Sequence, residues 1–238
     1  MEETTIPDQV SRLYVIGDIH GRLDLLDRIV EAIGRDVADG GADALTVTLG
    51  DYVDRGPASC GVLDRLIGNP FPTPHVALRG NHEQLFESFL EDPGVADHWR
   101  RLGGLETLHS YGVPVSDMRA GRNYDEACAR LRDTLPAAHR RFLQSLKTSF
   151  SHGGYFMCHA GVRPGVPLDR QSDQDLMWIR EEFLTSTLDF GKIVVHGHTP
   201  SDAPEVRRNR INIDTGAFAS GRLTCVVLDE RGHRFLQT

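Results

Sequence analysis

The chain has 238 residues, 39% hydrophobic and 25% charged, enough to bury a core and too mixed to be disordered or fibrous. Its formal net charge of −8 argues against long nucleic acid or anionic membrane as a partner. It leaves room for a small anionic substrate, because bound metal ions reverse the sign locally.

Taken in chain order, short apolar runs end abruptly in polar, glycine-containing turns. Leu13 to Ile16 runs into Gly17-Asp18, and Leu45 to Leu49 into Gly50-Asp51. Between them Leu25, Leu26, Ile29, Val30 and Ile33 recur at helical spacing, which predicts a helix over 23–36. A second helix is expected over 60–67, followed by an apolar run from His75 to Leu78 that ends at Arg79-Gly80-Asn81. The stretch from about 84 to 150 reads differently, as a helical insertion broken near Pro93-Gly94, Tyr111 to Pro114 and Pro136. Further runs, Tyr155 to Cys158 and Ile193 to Val195, lead into His159-Ala160-Gly161 and His196-Gly197-His198. Arg210 to Asp214 and Leu223 to Leu228 read as a closing pair of strands. Brief apolar runs bounded by turns are buried strands, and their alternation with helices predicts an α/β architecture. One domain over 1–238 is expected, with the insertion at about 84–150. The four cysteines are scattered without a CxxC pair, the Met1–Thr5 start lacks signal-peptide order, and no apolar run reaches bilayer length. A cytoplasmic protein with reduced thiols is the simplest expectation.

The turns carry the chemistry: GDIHG (17–21), GDYVDRG (50–56), GNHE (80–83), HAG (159–161) and GHTP (197–200). In α/β sheets ligand sites gather outside the carboxyl ends of the strands, so these tips face one shared space. Glycine beside each candidate ligand lets the backbone turn sharply. The Asp18-x-His20 spacing sets two side chains on one side of an extended segment, within reach of one ion. Any single tip reads equally well as an ordinary turn, since Gly, Asp and Asn are turn residues. Five in succession, each after a strand, do not. Asp, His and Asn form a mixed oxygen and nitrogen set, which suits Mn²⁺, Fe or Zn²⁺ better than Mg²⁺ or Ca²⁺.

This ordered set resembles the signature of the PPP-family, calcineurin-like metallophosphoesterases, specifically the lambda-type bacterial and phage serine/threonine phosphatases. The resemblance implies a four-layer α/β/β/α sandwich and two divalent metal ions, with Mn²⁺ expected. It implies that Asp18 and His20 hold the first metal, that Asp51 bridges, and that Asn81, His159 and His198 complete the second. Pro200 stands where many relatives have a final histidine, a departure shared with the lambda-type enzymes. His196 precedes the matched Gly-His pair and is assigned to packing or to support of a ligand.

The resemblance further implies that His82 is the general acid and that Asp54 orients it, a carboxylate fixing an imidazole's tautomer and raising its pKa. For Asp54 a turn-forming role is the plainer alternative. Arg55 is expected on the substrate phosphate through its planar donor fork. Arg180 is the candidate second phosphate arginine, with pairing to Glu181 or Glu182 as its alternative. Glu83 is read as orienting backbone or opening the following helix, and Asp214 as supporting a ligand histidine, with an ordinary turn role as its alternative. The implied reaction is hydrolysis of phosphate monoesters by direct attack of a hydroxide bridging two metals, with phosphoserine or phosphothreonine in proteins as substrate. Symmetrical hydrolysis of a dinucleoside tetraphosphate is the alternative within the fold, so the partner is a phosphoprotein or a phosphorylated nucleotide. A non-catalytic scaffold is disfavoured by retention of every proposed ligand, His82 and Arg55.

Overall fold

The computed structural model describes residues 10–40 and 43–238. The reading of the Met1–Thr5 start lies outside them. Ten strands among the described residues form two sheets. They are β1 (Arg12–Ile16), β2 (Ala44–Thr48), β3 (His75–Ala77), β4 (Ser149–His152), β5 (Tyr155–Cys158), β6 (Ile193–His196), β7 (Glu205–Val206), β8 (Arg210–Asn212), β9 (Thr224–Asp229) and β10 (Gly232–Gln237). The first sheet runs β10-β9-β1-β2-β3 and the second β4-β5-β6-β8-β7. In the first, β1, β2 and β3 are parallel; in the second, β5, β6 and β8 are parallel. The carboxyl ends of these six strands therefore carry the polar turns.

Side chains alternate across each strand and so sort the core into layers. Leu13 and Val15 of β1, Val47 of β2, Met157 of β5, Val195 of β6, Ile211 of β8 and Val226 of β9 form one buried cluster between the sheets. Tyr14 and Ile16, on the other face of β1, pack against α1 (Leu23–Ala38) and α2 (Ser59–Ile67). Phe156, Cys158 and Val194 face a third cluster with Leu176, Ile179 and Phe183 from α9 (Asp173–Trp178), α10 (Glu181–Leu184) and their junction. That is the expected four-layer α/β/β/α sandwich. The five apolar residues predicted to face inward on α1 are all buried.

The segment between the sheets is helical as expected: α3 (Asn81–Glu91), α4 (Ala96–Arg101), α5 (Gly104–Ser110), α6 (Ser116–Arg119), α7 (Tyr124–Thr134) and α8 (Ala137–Ser145). Its breaks fall at the predicted Pro-Gly, Tyr111–Pro114 and Pro136 positions. Two expectations need correction. Asn81 to Glu83 already belong to α3, so the GNHE turn is a helix start, and residues 149 and 150 belong to β4. The two late strands are not a pair: β8 lies in the second sheet and β9 pairs with β1 and β10 in the first. Between them α11 (Ala217–Ser220) carries the chain from one sheet to the other.

Candidate metal centre

Two histidines at the tips are held by backbone carbonyls. His20 Nδ1 lies 2.8 Å from Val53 O and His159 Nδ1 3.0 Å from Leu49 O. A carbonyl only accepts, so each Nδ1 carries its proton and each Nε2 presents a lone pair. The free Nε2 of His159 meets Asn81 Oδ1 at 2.9 Å, His198 Nδ1 at 3.1 Å and Asp51 Oδ1 at 3.3 Å. Asn81 Oδ1 is also 2.9 Å from His198 Nδ1. Asp51 Oδ1 also accepts from His82 N at 3.2 Å, but His159 Nε2 and Asn81 Oδ1 have between them at most one proton here, on His198 Nδ1, whereas a cation at the centre satisfies all four atoms.

The second oxygen of Asp51 turns the other way. Oδ2 lies 3.4 Å from the bare His20 Nε2 and 3.7 Å from His82 Nε2. Two donor groups, His20-Asp51-His82 and Asp51-His159-His198, thus share one carboxylate. Asp18 is in neither three-donor group. Its oxygens accept from His198 N at 3.1 and 3.3 Å. Asp18 is buried, and burial, then Asp214 and Asp51, raise its pKa well above the carboxylate range. Asp214, which follows β8, faces Asp18 and not a ligand histidine as expected, and its Oδ1 accepts from Gly216 N at 2.9 Å, the turn role that was its alternative.

Burial pushes Asp51 up to about 7, and lowers His198 to about 3 and His20 and His159 well below the imidazole range. Buried carboxylates that resist ionising and imidazoles that resist protonation, with lone pairs converging, are the electrostatic signature of a site a divalent cation would relieve. The donor set fits the expected metals.

Backbone conformation marks the same place. Among the described residues seven non-glycine residues have positive φ, and five are His20, Asp51, Asp54, Arg55 and His198. Each such φ costs on the order of 1 kcal/mol or more and persists only where the surroundings over-determine it. Here they do: Ile19 N and His20 N both bond Asp51 O, and Arg55 N bonds Gly103 O. The bend at His20 also means that Asp18 and His20 do not lie on one extended segment as expected. Gly80 and Gly197 have ordinary φ; their role is room, since a Cβ on either would run into the Asp51 or Asp18 carboxylate.

Next to the donors stands a hydrogen-bonded pair. His82 Nδ1 donates to Asp54 Oδ2 at 2.7 Å, and both residues are buried. Burial opposes charge on His82, but Asp51 and Asp54 outweigh it and raise its pKa. Asp54 is held further: Trp99 Nε1 donates to Oδ2 at 2.9 Å and Thr107 Oγ1 to Oδ1 at 2.6 Å. A simple turn-forming role is excluded by these contacts. Arg55 places Nη2 3.4 Å from His82 Nε2, and its guanidinium lies 4.6 Å from the centre of the Phe218 ring. Arg180 makes no ion pair among the described residues; Nη1 reaches Thr199 Oγ1 at 3.4 Å, and Glu182 pairs with Arg163 instead. Glu83 takes no part in the donor set. Its carboxylate accepts from the backbone N–H of Gly80, Asp51 and Tyr52 at 2.7 to 2.9 Å, fixing the loop that carries Asp51.

His196 shares the face of Val194 on β6, so it points away from the donors. Its ring meets Phe183 edge-on at 4.9 Å and its Nε2 accepts from Arg210 at 3.4 Å. Sequence reading missed Trp99, Thr107 and Phe218. A lone aromatic inside a helical run, or in the turn after IDTG, carries no spacing that would single it out.

Residues 11–224 match the family model described as calcineurin-like phosphoesterase. The serine/threonine-protein phosphatase 2 of Escherichia coli is 26% identical over 223 residues, covering 89% of this chain and 90% of that protein. The asymmetrical bis(5'-nucleosyl)-tetraphosphatase PrpE of Bacillus subtilis is 27% identical, covering 88% of each. In fold, the chain is similar to a provisionally named diadenosine tetraphosphatase, with a TM-score of 0.68, 21% identity and coverage of 99% of this chain and 96% of that one.

Proposed function

The chain belongs to the calcineurin-like phosphoesterase family, and on that premise we propose that it is a metal-dependent phosphomonoesterase acting on phosphoserine or phosphothreonine in proteins. It works as one domain, with the helical segment over 84–150 as its insertion. Asp18 and His20 would hold one cation, Asn81, His159 and His198 would hold the other, and Asp51 would contribute to both. Mn²⁺ is the preferred pair, with Fe and Zn²⁺ suited to the same donors. When bound, the cations supply an activated water and neutralise charge on the phosphoryl group.

The chain's own residues do the rest. Arg55 orients the phosphate oxygens through its planar fork, and Arg180 approaches from the His198 side. His82, protonated on both nitrogens, gives the Nε2 proton to the leaving oxygen while Asp54 holds Nδ1–H. The observation that carries this reading is the 2.7 Å His82–Asp54 contact, fixed by Trp99 and Thr107. A serine or threonine alkoxide leaves poorly and needs that proton. A nucleotide phosphate leaves readily and needs it far less, so a clamped acid favours the alkyl phosphate.

The second reading is hydrolysis of a dinucleoside tetraphosphate, favoured by relatives that carry that name. Their names specify asymmetrical cleavage, against the symmetrical cleavage expected from sequence. Location in the cytoplasm suits the four free cysteines, and no helix among the described residues is long and apolar enough to cross a membrane.

The deciding experiment gives Mn²⁺-loaded protein a phosphothreonine peptide and, separately, diadenosine tetraphosphate at matched concentrations. Higher kcat/KM on the peptide is the expected result. Preference for the dinucleotide would overturn it, and the products, two ADP or ATP with AMP, would identify the cleavage. Activity on neither, with both metals bound, would sink both assignments.

A further inference from the structure

Away from the Asp51 centre, α2 and α8 bring together a second set of donor atoms. Cys60 and Asp64 stand four residues apart on one face of α2, and His139 faces them from α8. Their Sγ, carboxylate oxygen and ring nitrogen all lie within 4.8 Å of one another. His139 Nε2 is 2.8 Å from Asp64 Oδ1, and Cys60 Sγ is 3.9 Å from Asp64 Oδ2. We propose that Cys60, Asp64 and His139 form a binding site for a divalent cation of the zinc class that clasps α2 to α8.

The chemistry of the three donors selects the ion. A thiolate with an imidazole and a carboxylate suits Zn²⁺ or Co²⁺ and is foreign to Mg²⁺ and Ca²⁺. The imidazole is fully buried and oriented from behind, its Nδ1 2.7 Å from Tyr111 Oη, the supporting contact a ligand histidine needs. Binding at Nε2 moves the ring proton to Nδ1, and Tyr111 turns from donor to acceptor, which a hydroxyl does freely. The Asp64 side chain is 68% exposed, so it can rotate to close the donor set and water can fill the fourth position. The hydrogen bonds from Tyr111 through His139 to Asp64 are complete without Cys60. The thiol is therefore the group that separates a cation site from a self-contained polar bridge.

Such an ion would also act on the phosphatase chemistry at one remove. Ser59 opens α2, and its Oγ lies 3.1 Å from Asp54 N and 3.0 Å from Thr107 Oγ1. Fastening α2 stiffens the shelf that carries Asp54. The proposal itself stands whatever the substrate.

Cobalt gives a direct test, because a thiolate bound to Co²⁺ absorbs in the near ultraviolet and the Asp51 centre has no sulfur donor. Cys60 is partly accessible, and Cys128, Cys158 and Cys225 are buried. Co²⁺ added to the chelator-stripped full chain is expected to raise a saturable charge-transfer band. Cys60→Ser should abolish it while leaving the far-ultraviolet circular dichroism and the chelated Tm unchanged. No band in the parent protein, or a band that survives Cys60→Ser, would overturn the site. Should Cys60→Ser fail to fold, the exposed Asp64→Asn decides: cobalt affinity should fall by about tenfold or more. An unchanged affinity would refute the proposal.

Discussion

The strand tips and the helices α4 and α5 meet at Asp54 and contribute to the site in opposite ways. The tips contribute donor atoms with lone pairs: His20, Asp51, Asn81, His159 and His198, converging from both sheets. The two helices contribute none of these. They send a Trp99 N–H and a Thr107 O–H to Asp54, and the link between them sends the Gly103 carbonyl to Arg55 N. Coordination demands particular elements at particular places, while support demands only a donor that arrives from somewhere. The first kind of residue is restricted in identity; the second is restricted in position alone.

Asp51→Asn should disable the strand tips most completely. It removes the one carboxylate shared by both donor groups, and kcat/KM is expected to fall by about a thousandfold or more with loss of bound metal. Full turnover with two metals retained would refute the shared role. His82→Ala tests the junction of the two regions. Metal content should persist while turnover of a phosphothreonine peptide drops ~100-fold, and an activated aryl phosphate should lose far less. Equal losses on both esters would remove the acid assignment.

His196 supplies a contrast within the tips, since it adjoins the donors in sequence but faces the other helical layer. Burial, with Arg210 adding to it, lowers its pKa to about 3. A histidine depressed in the folded state stabilises above its ordinary pKa of about 6.5, and that contribution is lost as pH falls toward 3. Near pH 5 the unfolded chain gains about 2 kcal/mol from protonating this one ring. Denaturant titrations of chelated protein at pH 7 and 5 should show it, and His196→Gln should lack that part of the slope. An identical slope in the variant would contradict the burial argument.

The helical side should respond more mildly. Trp99→Phe deletes one donor to Asp54 and leaves a cavity where the buried indole stood, and Thr107→Val, close to it in shape, deletes the other donor together with the acceptor of Asp54 N. Both should keep their metals and lose about tenfold in kcat on the peptide, less on the aryl ester. A loss confined to stability would make the clamp structural alone.

Residue pattern alone located the side chains that converge at the tips, the short strands that present them and the inward face of α1. Metal chemistry admits few residue types, and short apolar runs ending in glycine turns announce where those types will stand. It also located the breaks of the helical segment, because proline and glycine act locally. Tertiary structure decided what depends on distant neighbours. It sent β8 and β9 to different sheets, turned Asp214 toward Asp18, and set Glu83 beneath the Asp51 loop. It closed Trp99 and Thr107 on Asp54 across 45 and 53 residues of chain, and laid Phe218 under Arg55. No local spacing encodes those contacts, since a hydrogen-bond donor or an aromatic ring can reach its partner from any element that packs beside it.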